Sequence, residues 1–181
     1  MLRCRRTALL KVLRALMLLL IGGCQREAGV VSTERFVEVQ GSTGTLVAPE
    51  KWQLKDGGDH WSVTSPDGMA VINVMTFTVE GSGSLDDVAQ MVADNLTDPK
   101  PHWHDSDWTP LKVQGRSAIR RSLKPSDEAA QGEWVVIALR EGDLYHVLSL
   151  NASDPAMELN GEFYESVMLT FKGISSPPKK L

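Results

Sequence analysis

Cysteine is scarce. Cys4 and Cys24 are the only two in 181 residues. Beyond position 24 the chain therefore offers no disulfide, no thiolate metal site and no cysteine nucleophile. In an oxidising compartment such a domain is held together by its core alone. Long apolar runs are missing too. The uncharged stretch Ala15–Gly23 is about half of the ~20 residues that a membrane-spanning helix needs. Basic charge is thin. Five of the 19 Lys and Arg residues fall before position 15, which leaves 14 against 23 acids from Cys24 onward, a formal charge of −9. That balance excludes nucleic-acid binding through a basic surface and disfavours anionic headgroups. No Gly-x-Ser-x-Gly elbow, His-Glu-x-x-His pair or phosphate loop occurs. No catalytic triad can be assembled from neighbouring residues.

What is present begins with an address. Arg3, Arg5, Arg6, Lys11 and Arg14, with no acid among them, precede the short apolar run, a pattern that reads as a secretion signal over residues 1–23. The run ends in Ile21-Gly22-Gly23-Cys24, which resembles the lipobox of bacterial lipoproteins. The resemblance implies recognition of Ile21, Gly22 and Gly23 by a signal peptidase and cleavage before Cys24. It also implies a diacylglycerol on the Cys24 thiol with an N-acyl chain beside it. Small residues let a peptidase approach the backbone. Burial of acyl carbons is worth ~0.8 kcal/mol per CH₂, and two or more chains anchor stably where one does not. Gln25 stands where an Asp often retains a lipoprotein on the inner membrane. The expected place is thus the periplasmic side of the bacterial cell envelope, with the outer membrane favoured. No other cofactor is implied.

The mature chain from Cys24 has 158 residues, enough for one domain with a sizeable core. Residues 24–33 are polar and small and read as a tether, 34–172 as the domain, and 173–181 as a flexible tail. Within the domain, "RFVEVQ" and "GTLVAPEKWQL" are strand candidates. "HWSVTSPDGMAVINVMTFTV" is a hairpin turning at Ser65-Pro66-Asp67-Gly68. "LKVQGRSAIRRSL" turns at Gln114-Gly115, and "EWVVIALREGDLYHVLSL" at Glu141-Gly142-Asp143. A first helix starts at Ser84, where Ser84-Leu85-Asp86-Asp87 is a variant capping box, and buries Leu85, Val88, Ala89, Val92 and Leu96. A second starts near Ser153-Asp154-Pro155, with Leu159, Phe163 and Val167 as its stripe, widened by Tyr164 and Met168. The strands 70–78, 134–139 and 144–150 are apolar on both faces, so both faces must be covered. The expected class is α+β: an antiparallel sheet flanked by helices on both faces, an α/β/α sandwich.

This order of elements resembles the Mog/PsbP-like fold, the superfamily of photosystem II subunit P, the Ran-binding Mog protein and bacterial DcrB-type periplasmic lipoproteins. The likeness is carried by "APEKWQL", "WSVTSPDGMAVINVMTF", the capped helix "SLDDVAQMVADNL", "LKVQGRSAIRR", and "YHVLSLNASDP" leading to "MLTFKG". It implies a non-catalytic binding or assembly module and brings no catalytic residue set with it.

One segment has the composition of a site. In "HWHDSDW", an extended backbone would put His102 and His104 on the same side, roughly 7 Å apart. Asp105 and Asp107 would add oxygen ligands for zinc or a similar ion. The plainer alternative is a polar loop in which Trp103 and Trp108 cap the core. The same two aromatics are candidate contacts for a partner. His60 and His146 read as structural, "GSTG" and "GSGS" as flexible connectors, and Arg120-Arg121 as a small basic spot with one position solvated. The leading expectation is a membrane-anchored, non-enzymatic module that binds an envelope protein. The alternatives are a metal-dependent enzyme using His102, His104, Asp105 and Asp107, or a lipid or small-molecule carrier with a groove lined by Trp52, Trp61 or Trp134.

Overall fold

The computed structural model describes residues 34–79, 83–96, 103–125 and 132–173. Cys24 and its lipobox, the tether, His102 and the residues after 173 lie outside them. Residues from Arg35 onward belong to one compact unit.

Its centre is an eight-stranded antiparallel sheet. The strands are β3 (Gln53–Asp56), β4 (His60–Thr64), β5 (Ala70–Thr78), β6 (Trp103–Asp105), β7 (Thr109–Val113), β8 (Arg116–Pro125), β9 (Glu133–Glu141) and β10 (Leu144–Ala152). Their order is β3-β4-β5-β10-β9-β8-β6, with β7 also on β8. The hairpins form at the expected turns. Val113 pairs with Arg116 across Gln114-Gly115, and both turn residues have positive φ (49° and 80°), the mirror-image turn that matches strand twist. At the β4–β5 turn the Asp67 carboxylate accepts hydrogen bonds from the Ser65 hydroxyl (2.6 Å) and the Met69 amide (3.0 Å), which hold it below the usual carboxylate range.

Both faces of the central strands are buried, as their composition requires. Val135, Ile137 and Leu139 of β9, with Leu148 and Leu150 of β10 and Ile72 and Val74 of β5, enter one apolar cluster. The alternate residues Val136, Ala138 and Val147 enter a second. Helix α1 (Leu85–Leu96) covers the second cluster with Ala89, Val92 and Ala93. Helix α2 (Asp154–Met168) covers the first with Ala156, Tyr164, Val167 and Met168. The fold is thus α+β, a sheet with a helix on each face. The first face also carries a three-stranded sheet, in the order β1 (Phe36–Gly41), β2 (Gly44–Pro49), β11 (Lys172–Gly173). Its strand β2 contributes Leu46 and Ala48 to the core.

Two local expectations are corrected. "GSTG" is no flexible connector: Gly41 pairs with Gly44, and Ser42-Thr43 closes a tight hairpin in which Thr43 is buried. The stripe of α2 does not run through Leu159, which is 81% exposed. Residues four apart drift around a helix of 3.6 residues per turn, so the core face centres on Val167, Tyr164 and Met168 and leaves Leu159 outside. Lys172-Gly173, too short for any pattern, forms β11 against Thr45 and Gly44.

Candidate functional site

Of the "HWHDSDW" segment, the described part from Trp103 onward lies at the far edge of the large sheet. The backbone of Trp103–Asp105 pairs with β8, His104 opposite Lys124 and Asp105 opposite Leu123. Asp107 follows the strand and is exposed. Trp108 is half-buried against the cluster under α1. Its indole N–H donates to Gln90 Oε1 (3.3 Å), and the Arg121 guanidinium lies 4.7 Å from its ring centroid. Arg121 donates to the same Gln90 oxygen (2.7 Å), and Gln90 Nε2 donates to Asp94 (2.8 Å). Trp108 therefore fastens the edge of the sheet to α1. Among the described residues no three His, Cys, Asp or Glu side chains gather as metal ligands do.

The tryptophans proposed to line a groove do not share one. Trp61 is fully buried, donates to Thr43 Oγ1 (3.0 Å) and lies flat on Gly41, where a Cβ would come within 2.2 Å of its ring. Trp52 is 8% exposed and packs against Tyr164, centroids 5.8 Å apart. Trp134 packs on the opposite face of the sheet. The first two are core, and Trp61 lies where it does because only a residue without a side chain at position 41 admits its indole.

The densest polar arrangement in the interior surrounds His146. Read from the sequence as structural, it is fully buried. Thr76 is its cross-strand partner, and the Thr76 hydroxyl lies 2.8 Å from His146 Nδ1. His146 Nε2 is 3.9 Å from Glu141 Oε2 and faces Gly173, where a Cβ would approach to 2.6 Å. Glu141 is ion-paired with Arg116, whose second nitrogen donates to the Phe171 carbonyl (2.7 Å). The Phe171 ring packs on the imidazole at 5.2 Å. Burial, opposed by Glu141 and reinforced by Arg116, brings the histidine down to about 4. It is neutral at pH 7 and inaccessible to solvent. The cluster binds β5, β10, β9, β8 and β11 to one another. Long-range pairing created it, so no spacing in the sequence signals it. His60 differs: it is exposed, with Nδ1 3.3 Å from the exposed Asp59.

Arg120 and Arg121 form no basic spot. Adjacent strand residues point to opposite faces. Arg120 makes a two-pronged bond to Glu165 of α2 (2.8 and 2.6 Å), which raises its pKa, while Arg121 turns to Gln90 and Trp108 under α1. One dipeptide thus ties a helix to each face of the sheet.

No family model matches the sequence, and no curated protein does. Solved structures do match. The cyanobacterial PsbP protein CyanoP from Synechocystis sp. PCC 6803 superposes with a TM-score of 0.61 at 9% identity, over 81% of this chain and 97% of that one. The Ran-binding protein Mog1p of Saccharomyces cerevisiae gives 0.52 at 15%, over 77% and 96%. LpqN of Mycobacterium tuberculosis, involved in cell envelope biogenesis, gives 0.52 at 16%, over 78% and 92%. The fold is of the PsbP/Mog1 type.

Proposed function

We propose that this chain is an envelope lipoprotein, anchored through acyl chains on Cys24, whose domain binds a protein partner and catalyses no reaction. The observation that supports it best is the shared architecture. Structures of the same fold include a Ran-binding protein and a protein of envelope biogenesis, each matched over more than nine-tenths of its length. The interior chemistry agrees. His146, Arg116, Arg120 and Arg121 join elements of the fold to one another. The sequence places the anchor: a basic start, a short apolar run and Ile21-Gly22-Gly23-Cys24. It favours the periplasmic side of the outer membrane.

Two measurements test the two halves. Mass spectrometry of the native N-terminal peptide should find acyl chains on Cys24, and Cys24→Ser should move the protein to the soluble fraction. An unmodified Cys24 thiol, or a mature terminus elsewhere, removes the anchor. The soluble Cys24→Ser protein, titrated with zinc, should show neither heat nor a rise in melting temperature. Stoichiometric binding lost in His102→Ala and His104→Ala, accompanied by hydrolysis of an envelope substrate, replaces the binding function with a metal-dependent enzyme.

A further inference from the structure

The exposed large apolar side chains among the described residues are Phe36, Leu54, Met69, Met91 and Leu159. Isolated cases on a surface mean little, but two of these meet through a third. Leu159 and Phe163 lie one turn apart on α2, close enough to be neighbours on the helix surface. The Phe163 ring, itself half-buried, stands edge-on to Phe36 of β1, with centroids 6.1 Å apart and planes at 67°. Leu159 is 81% exposed and Phe36 50% exposed. The result is one continuous apolar ridge running from the outer side of α2 onto the edge strand of the small sheet.

The rim of the ridge is predominantly acidic. Glu158 and Glu162 flank Leu159 on α2, and both are exposed. Glu38 follows Phe36 on the same side of β1 and is exposed as well. Arg35, beside Phe36 in the chain, lies 3.7 Å from Glu50 and so adds little net positive charge. This pattern discriminates among occupants. A second copy docked through the same face would bring one acidic rim against another, since a two-fold interface uses the same patch on both subunits. An anionic bilayer surface would be repelled. A protein surface with an apolar centre and lysines or arginines around it satisfies both the ridge and its rim.

We infer that the Leu159–Phe163–Phe36 ridge is the docking face for an envelope protein that presents an apolar anchor ringed by basic side chains. This rests on the binding function proposed above and assigns it a surface and a partner chemistry. No packing inside the domain demands Leu159, so its substitution leaves the fold intact.

The test uses the full-length chain in its own cells, with a photoreactive phenylalanine analogue in place of Leu159, and a control with the analogue in place of Met91 on α1, across the sheet. Irradiation should yield a protein adduct at position 159 and not at 91, and the joined peptide should carry Lys or Arg around an apolar residue. Adding Glu158→Lys and Glu162→Lys should cut that yield roughly tenfold or more, while far-UV circular dichroism stays unchanged. A phospholipid adduct, a self-adduct, an acidic peptide or a yield indifferent to the charge reversal each overturns the assignment. Protein adducts at 91 alone remove this face and leave the binding function standing. No protein adduct at either position removes both.

Discussion

The imidazole of His146 has Thr76 on one nitrogen and Glu141 at 3.9 Å from the other, yet burial outweighs the carboxylate. The ring titrates at about 4 in the folded protein against 6.5 when free. Between those values the unfolded chain takes up a proton that the folded chain refuses, so stability falls as pH drops through this window. The loss is complete near pH 4 and amounts to about 3 kcal/mol. Asp56 and Asp67, whose carboxyls are held low by hydrogen bonds, lose their contribution only at lower pH. Urea unfolding at a series of pH values should therefore show a decline between about pH 6.5 and 4 that His146→Gln abolishes. A slope unchanged in that variant would mean that another group carries it.

Helix ends separate elements that look alike in sequence. Ser84 and Ser153 both precede helices and both read as caps. At α1 the box closes: the Asp87 amide donates to Ser84 Oγ (3.1 Å), and the Ser84 amide donates back to the Asp87 carboxylate (3.3 Å). At α2 Ser153 makes no side-chain cap bond, and Pro155 in the first turn has no N–H to satisfy. Ser84→Ala should accordingly cost about 1 kcal/mol of unfolding free energy, and Ser153→Ala less than about 0.5 kcal/mol. Equal losses in denaturant titrations would show that the two caps work alike. Arg120 and Arg121 act at the same scale, since the alternation of β8 sends one side chain to each helix.

The central strands give the whole molecule its cooperativity. β9 and β10 supply alternate residues to two separate apolar clusters, so neither face can loosen without the other. Leu148 belongs to the cluster under α2 and Leu123 to the one under α1. Both are essentially inaccessible to solvent. Leu148→Ala and Leu123→Ala should each cost about 2–5 kcal/mol. Each should shift one shared transition, with tryptophan fluorescence and circular dichroism coincident. Two separated transitions in either variant would mean that the faces unfold independently.

The pattern along the chain was enough for the strands with two apolar faces, the Gln114-Gly115 turn, the start of α1 and hence an antiparallel sheet under helices. These features depend on periodicity, backbone restriction and capping, all of which act over a few residues. Tertiary structure alone decided that Trp61 would lie on Gly41, that Thr76 would meet His146, that two residues after Phe171 would complete a second sheet, and that Leu159 would be left outside. Each of those depends on which distant segment arrives at a given face. In a close-packed interior, that is fixed by the fit of whole elements to one another.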